Sequence, residues 1–564
     1  MTTDAGTGIV HIAPAFGEDD LTLGHKYSLP FIQHVGFDGI MKQEVTDFAG
    51  LSAKSKNKDG EKDAHQKTDI EVIKVLAGKG ALFAKEKIIH SYPHCWRCET
   101  PLLNYATSSW FVKVTDLKDK MSALNEKIKW VPETIGSGRF GKWIEGARDW
   151  SVSRARYWGA PLPVWESERG ERYVVGSVPE LKSKLKKRNN FFLVRHGESE
   201  GNAAGNRISC NLEKNDSLTP NGEKEANTAG ESLKDKKIDV IITSPFLRTR
   251  ATAGIIAKVI GFTGEIIEDN RLVEINAGDF DGKPWSEYLS QFASIGEHFT
   301  KHTGPRENWE DVRKRASECM YDLDSQYEGK NILVVSHGAP LLLIAFASEG
   351  FSQQEIIKRY NDSVFKNAEV RDIDWRNFPH NENFEIDLHR PYIDEIVLVS
   401  SEGLPMHRVP EVFDTWYDSG SMPFAQEHYP FENKELFEQS NSPLFPADFI
   451  AEGLDQTRGW FYTLLVLGTG LFEKSPYNNV IVNGLVLAED GRKMSKSLKN
   501  YPDVMEVVNL YGADAVRYYM VASPIVRGED LNFSTEGVDE IHKKIIGKLI
   551  NILSFYDMYS KGIP

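Results

Sequence analysis

Cysteine is scarce. Cys95, Cys98, Cys210 and Cys319 are all that the 564 residues carry, which argues against a disulfide-built scaffold and for a reducing compartment. Long apolar runs are missing too. The longest, Phe461 to Phe472, is broken by Gly468 and Gly470 and falls short of the roughly 20 residues that cross a bilayer. Met1 to Phe16 lack a basic start followed by an apolar core, so no secretory signal is read there. A cytoplasmic protein with no membrane partner is expected. Nor is there an excess of basic charge: 67 Lys and Arg against 82 Asp and Glu leave −15. An acidic chain can still hold RNA through local basic patches, so net charge neither supports nor excludes that. What is present is an apolar fraction of 40%, enough for the cores of about three to five ordinary domains.

Three blocks of different character follow one another. The first runs from Met1 to about Arg188 and ends in the basic run Lys182-Ser183-Lys184-Leu185-Lys186-Lys187-Arg188, read as a solvated helix face or linker. The second, about Asn189 to Trp375, has an α/β pattern. Phe191–Val194, Val240–Thr243 and Ile332–Val335 read as buried parallel strands, with helices such as Asn221–Leu233 and Thr249–Ile260 between them. Each strand ends at a group able to handle phosphate, as ligand sites at the carboxyl ends of open α/β sheets do. The third block, about Arg376 to Pro564, closes with Ile541, Ile545, Leu549 and Ile552 or Leu553 at helical spacing. That stripe calls for partner helices.

The second block holds Leu193-Val194-Arg195-His196-Gly197-Glu198-Ser199, then Ser244-Pro245-Phe246-Leu247-Arg248, then Arg271-Leu272-Val273-Glu274, then Ser336-His337-Gly338. Phosphoryl transfer needs a nucleophile and a cluster of cationic donors for the equatorial oxygens. The set resembles the histidine phosphatase and phosphoglycerate mutase superfamily. The resemblance implies that His196 attacks and becomes phosphohistidine. Arg195, Arg248 and His337 would cradle the phosphate with help from Asn202, and Glu274 would protonate the leaving oxygen. The plainer reading is a pair of satisfied strand-end histidines in a scaffold that has lost activity. The phosphorylated substrate is not readable.

The third block carries Lys493-Met494-Ser495-Lys496-Ser497, about forty residues after Glu452-Gly453-Leu454-Asp455-Gln456-Thr457-Arg458-Gly459-Trp460. With Trp416-Tyr417-Asp418-Ser419-Gly420 and Arg148-Asp149-Trp150-Ser151-Val152-Ser153-Arg154, these segments resemble class I aminoacyl-tRNA synthetases of the isoleucine, valine and leucine group. They flank the phosphatase-like block, which is therefore read as an insertion, tolerated where a domain's own ends lie close together. The resemblance implies adenylate formation from ATP with magnesium. Lys493 and Lys496 would meet the phosphates as charge builds there. Glu452 would hold the adenylate, Gly453, Asp455 and Gln456 would shape the adenosine and amino-acid contacts, and Trp460 would wall the side-chain pocket. Plain surface charge is the alternative for the two lysines.

Gly6-Thr7-Gly8-Ile9-Val10-His11-Ile12-Ala13-Pro14-Ala15-Phe16-Gly17-Glu18-Asp19-Asp20 resembles the editing signature of isoleucine enzymes. Editing has a physical cause: a pocket extracts only about 1–3 kcal/mol from one methylene, a limit for which isoleucine against valine is itself the worked example. The resemblance implies that Asp20 fixes the ammonium group of the misattached amino acid and that His11 positions the ester. Alternatively, Asp19 or Asp20 caps a helix starting at Leu21. Cys95 and Cys98 have zinc-knuckle spacing, but tetrahedral zinc needs four ligands, so zinc is expected only if the missing pair is supplied from elsewhere. A buried cysteine pair without metal is the alternative. No His-x-Gly-His occurs anywhere, although the family opens its nucleotide fold with that motif. The expectation is a truncated reading frame, or a separate chain supplying the N-terminal half.

The fold class expected is α/β, built on a partial class I nucleotide-binding (Rossmann-like) fold. Its segments are an editing remnant at 1–88, a catalytic segment with half a zinc knuckle at 89–188, an inserted three-layer histidine phosphatase domain at 189–375, a connective segment at 376–425, the second half of the nucleotide fold at 426–525, and a stem-contact region with the start of anticodon-binding helices at 526–564. The function implied is a partial isoleucine–tRNA ligase with partners tRNA(Ile), isoleucine and ATP, inactive alone and fused to a histidine phosphatase. The alternatives are a working phosphatase on a tRNA-docking scaffold and a non-enzymatic tRNA-binding fragment.

Overall fold

The computed structural model describes residues 9–54, 64–86, 90–95, 100–155, 158–214, 216–301, 306–360, 363–495 and 498–560. The chain divides into two units, Met1–Trp110 and Phe111–Pro564.

In the first unit the helix Glu18–Tyr27 opens with three acidic residues, Glu18, Asp19 and Asp20, in its first turn, where the helix dipole favours negative charge. The N-cap is Gly17, with no side-chain cap bond. The helix therefore begins three residues before the expected Leu21, and neither aspartate caps it. Asp20 Oδ2 instead accepts the backbone N–H of Ala13 (3.0 Å), tying the preceding irregular segment to the first turn of the helix.

The second unit contains a five-stranded sheet in the order Val370–Ile373, Asn190–Arg195, Asn331–Ser336, Val240–Thr243, Ile266–Glu268. All neighbours are parallel except the antiparallel edge strand Val370–Ile373. Side chains alternate across a strand, and the apolar residues sort accordingly. Phe191, Leu193, Ile332 and Val334 pack on one face against Met320 and Leu323 of helix Trp309–Gln326 and Leu341 and Ile344 of helix Gly338–Ser348. Phe192, Val194, Leu333 and Val335 pack on the other against Ala229 and Leu233 of helix Pro220–Leu233 and Ala253 and Ile256 of helix Leu247–Ile260. This is the expected three-layer domain, and its three central strands and the helices read at 221–233 and 249–260 fall where the sequence placed them.

Strands on either side of that domain pair with each other. Lys129–Val131 lies parallel to Tyr477–Asn483, which lies parallel to Ala447–Gly453. Val164–Ser167 pairs with Pro405–Arg408, and Ser153–Arg154 with Val412–Phe413. The chain leaves one fold, builds another, and returns to the first, as an insertion must.

The basic run is more than a solvated linker. Lys182, only 12% exposed, pairs with Glu349, Lys186 with Glu328, and Lys187 with Asp374. Arg188 donates to the carbonyls of Asp324 and Ser325. On the return side, Arg376 Nη1 donates to the Leu185 carbonyl (2.6 Å). The cations of the run fasten the entering segment to the body of the insert, and Lys187 and Arg376 tie the entering and returning segments to each other.

Candidate functional site

His196 leaves the end of strand Asn190–Arg195 and His337 the end of its neighbour Asn331–Ser336, where Arg195 and Ser336 are register partners. Their ring centroids lie 5.2 Å apart. Gly197 must be glycine, since a Cβ there would lie 2.3 Å from the Gly222 carbonyl oxygen. His196 is 3% exposed. Its Nδ1–H donates to the Gly197 carbonyl (2.8 Å), and its Nε2 accepts from Arg248 Nε (3.2 Å). The ring thus carries its proton on Nδ1 and presents the Nε2 lone pair to the cationic pocket. Burial, and then the Arg248 and Arg195 charges, hold this imidazole well below its usual range. It is a neutral imidazole. His337 is held down by the same causes. Its Nδ1 accepts from Arg248 Nη2 (3.0 Å), so Nε2–H donates to Ser244 Oγ (2.8 Å).

Arg248 reaches further, from Nη2 to the Ser209 carbonyl (2.8 Å) and from Nη1 to Ser209 Oγ (3.2 Å). All its partners are neutral, and burial lowers its pKa to about 10, which leaves it cationic at neutral pH. Arg195 donates from Nη1 to the Phe365 carbonyl (2.7 Å), while its Nε is buried without a hydrogen-bond partner. Burial lowers its pKa as well. Among the described residues neither guanidinium forms an ion pair with a carboxylate. Two buried cations beside a neutral histidine form a pocket whose chemistry suits an anion.

Glu274 is 7% exposed. Oε1 accepts the N–H of Ile275 (2.9 Å) and Ala339 (3.3 Å), and Oε2 that of Gly338 (3.2 Å). The carboxyl therefore sits on the first turn of the helix that follows His337. Asn202 is occupied otherwise. Its Oδ1 accepts from the N–H and Oγ of Ser199, and its Nδ2 donates to Asn206, so its amide caps the helix Glu200–Ala203. Ser209, which receives Arg248, and Arg315, whose Nη2 donates to the Glu274 carbonyl (3.3 Å), carry no sequence signal. Ser209 sits in an irregular stretch, and Arg315 is one of several cations on the helix Trp309–Gln326. Ser244 is legible only as the residue preceding the Pro-Phe-Leu-Arg segment.

In the flanking fold, Glu452 and Gly453 end the strand Ala447–Gly453, and Gly453 lies opposite Asn483 at the end of the next parallel strand. Gly484 follows, where a Cβ would meet the Glu529 carbonyl oxygen at 1.9 Å. Lys493 bridges back to Leu487. Asn500 ties the lysine loop, accepting from Ser495 N–H (2.9 Å) and donating to the Lys493 carbonyl (3.2 Å). Lys496 lies outside the described residues. Glu452, Asp455 and Lys493 are exposed. Gln456 Oε1 accepts the Trp460 N–H (2.8 Å), and Trp460 Nε1 donates to the Ser419 carbonyl (3.0 Å), so the segments Trp416–Gly420 and Glu452–Trp460 meet. His11 is exposed. Cys95 is half-buried, and Cys98 lies outside the described residues. Among the described residues no group of three or more His, Cys, Asp or Glu could hold a metal ion, so the zinc expectation gains no support.

The chain belongs to the class I tRNA synthetases of the I, L, M and V group, whose family model matches residues 41–200 and 357–534. The model of the histidine phosphatase superfamily (branch 1) matches residues 191–377 between them. The chain is similar to isoleucine–tRNA ligases. It is 32% identical to that of Chlamydia abortus over 555 residues, covering 98% of this chain and 33% of the relative. It is 32% identical to the probable cytoplasmic isoleucine–tRNA ligase of Dictyostelium discoideum over 566 residues, covering 99% and 33%. The chain thus spans about a third of the length of these relatives. Among solved structures, Bacillus stearothermophilus YhfR matches at 24% identity over 36% of this chain and 98% of its own, with a TM-score of 0.29. No helix among the described residues is long and apolar enough to cross a membrane.

Proposed function

We propose that the inserted domain is a working phosphohydrolase acting through a phosphohistidine at His196, carried on the adenylate-binding half of an isoleucine–tRNA ligase. The observation that supports it best is the buried pair Arg195 and Arg248, neither in an ion pair with a carboxylate among the described residues, around a neutral histidine. A phosphomonoester dianion would take both guanidinium groups as direct partners. His196 Nε2 attacks phosphorus, the bond to the ester oxygen breaks, and Glu274 gives that oxygen a proton. Water then attacks the phosphohistidine, Glu274 takes its proton, and the P–N bond breaks to release phosphate. For either transfer Glu274 exchanges one of its amide contacts for the reacting oxygen. Hydrolysis of p-nitrophenyl phosphate by the chain, abolished in His196→Ala, is the expected result. Equal rates for the two proteins contradict it.

For the flanking fold we propose the role of a class I nucleotide site: Glu452, Gly453, Asp455 and Gln456 around the adenylate, Trp460 at the side-chain pocket, Lys493 and Lys496 at the phosphates of ATP, and magnesium entering with the nucleotide. tRNA(Ile) and isoleucine are the proposed partners, with Asp20 and His11 for editing of valine. Without a His-x-Gly-His anywhere in its sequence, the chain alone is expected to show no isoleucine-dependent ATP–pyrophosphate exchange. Exchange by the purified chain contradicts this. Salt-dependent tRNA binding without exchange, beside phosphatase activity, would favour the flanks as a docking scaffold.

A further inference from the structure

The acid of the proposed phosphatase reaction stands on backbone that belongs to neither helix nor strand. After the single turn Asn270–Leu272 the chain runs irregularly through residues 273–277. Carbonyl groups in such a stretch lack ladder partners, and leaving them unpaired when buried is costly. Two side chains supply the partners. Ser336 Oγ, one residue before His337, donates to the Leu272 carbonyl (2.7 Å). Arg315, on helix Trp309–Gln326, donates from Nη1 to the carbonyls of Arg271 (2.6 Å) and Val273 (2.7 Å) and from Nη2 to that of Glu274 (3.3 Å). The other edge of the guanidinium forms a fork with Glu307, Nε to Oε1 at 2.7 Å and Nη2 to Oε2 at 2.9 Å. Glu307 returns to the same strap. Its Oε2 accepts the Asn276 N–H (2.9 Å), and its own N–H donates to the Asn276 carbonyl (3.2 Å).

Every carbonyl from Arg271 to Glu274 is thus held, and the strap is closed beyond the acid at Asn276. Serving two carbonyls from one nitrogen while forking a carboxylate with the other edge needs a rigid, planar, multi-donor group. A lysine ammonium cannot reproduce that fan. We propose that Arg315, oriented by Glu307, is a positioning residue for Glu274. It fixes the backbone beneath the carboxyl so that the proton is delivered to the oxygen leaving phosphorus at His196. This rests on the phosphohistidine reading and assigns Arg315 no contact with substrate.

The test compares two esters with the full chain. Phenyl phosphate needs its leaving oxygen protonated, whereas 2,4-dinitrophenyl phosphate expels a stable phenolate and needs no acid. Arg315→Lys is expected to lower kcat/KM for phenyl phosphate, which reports the step that expels the leaving oxygen, about 10- to 100-fold, part of the roughly 10²–10⁴-fold that general acid catalysis contributes. The fall in kcat/KM for 2,4-dinitrophenyl phosphate is expected to stay within about threefold, because expelling its phenolate asks little of an acid. Glu307→Gln is expected to show the same selectivity more weakly, and it carries the comparison if Arg315→Lys melts early. Equal losses on both esters, or no loss on phenyl phosphate, overturn the proposal. If His196→Ala hydrolyses both esters as fast as the unaltered chain, the phosphohistidine reading fails instead.

Discussion

At the scale of single residues, the phosphatase site depends on a few atoms with no room to move. Gly197 lies against the backbone of helix Pro220–Leu233, with 2.3 Å between an added Cβ and the Gly222 carbonyl oxygen. Backbone cannot retract as a flexible side chain can. Gly197→Ala is therefore expected to destabilise the insert by about 1–3 kcal/mol and to displace His196 from Arg248, with loss of aryl phosphatase activity. A wild-type urea midpoint and rate in that variant would contradict this. Much of the site was legible at this scale. His196, Arg248, Glu274 and His337 stand in the short segments the sequence singles out, and the structure joins them. Asn202 was legible as a polar group near the nucleophile, yet its amide caps a helix, and the sequence does not distinguish a capping amide from a ligand-binding one. Ser209 and Arg315 were not legible, because only the fold brings Ser209 to Arg248 and Arg315 to the carbonyls of Arg271, Val273 and Glu274.

At the scale of elements, apolar runs bounded by helical patterns located the central strands, because a parallel sheet covered on both faces needs continuous apolar sequence. The short strands flanking the insert, such as Leu398–Val399 and Arg172–Val174, left no comparable run. The basic segment Lys182–Arg188 shows the limit of charge patterning: its partners Glu349, Glu328, Asp324 and Asp374 lie far along the chain. Lys182→Met tests this fastening. Glu349 is half exposed, so the pair is worth only about 1 kcal/mol, and the expected result is a slightly lower urea midpoint with unchanged aryl phosphate hydrolysis. A large loss of activity would contradict the assignment of Lys182 to docking alone.

At the scale of the whole molecule, the insert should lose stability in acid. His196 and His337 are held well below the ordinary 6.5, chiefly by burial, and burial lowers His298 to about 4. Below 6.5 the unfolded chain takes up these protons and the folded insert does not. The stability is therefore fully present above 6.5 and falls as pH drops from there toward 4 and below. A melting temperature that declines across that window, less steeply in His298→Phe, is expected, and a flat profile would contradict it. The same neutrality means that His196 itself should not switch off hydrolysis near pH 6.5.

The central claim is that His196 carries the phosphoryl group. Mixing the full chain with a phosphomonoester, quenching in alkali to preserve a P–N bond, and mapping the label by mass spectrometry tests it directly. One phosphoryl group on the peptide containing His196, absent from His196→Ala and chased to inorganic phosphate on further incubation, is the predicted result. Steady turnover with no label on that peptide, or an equal label in His196→Ala, would contradict the account.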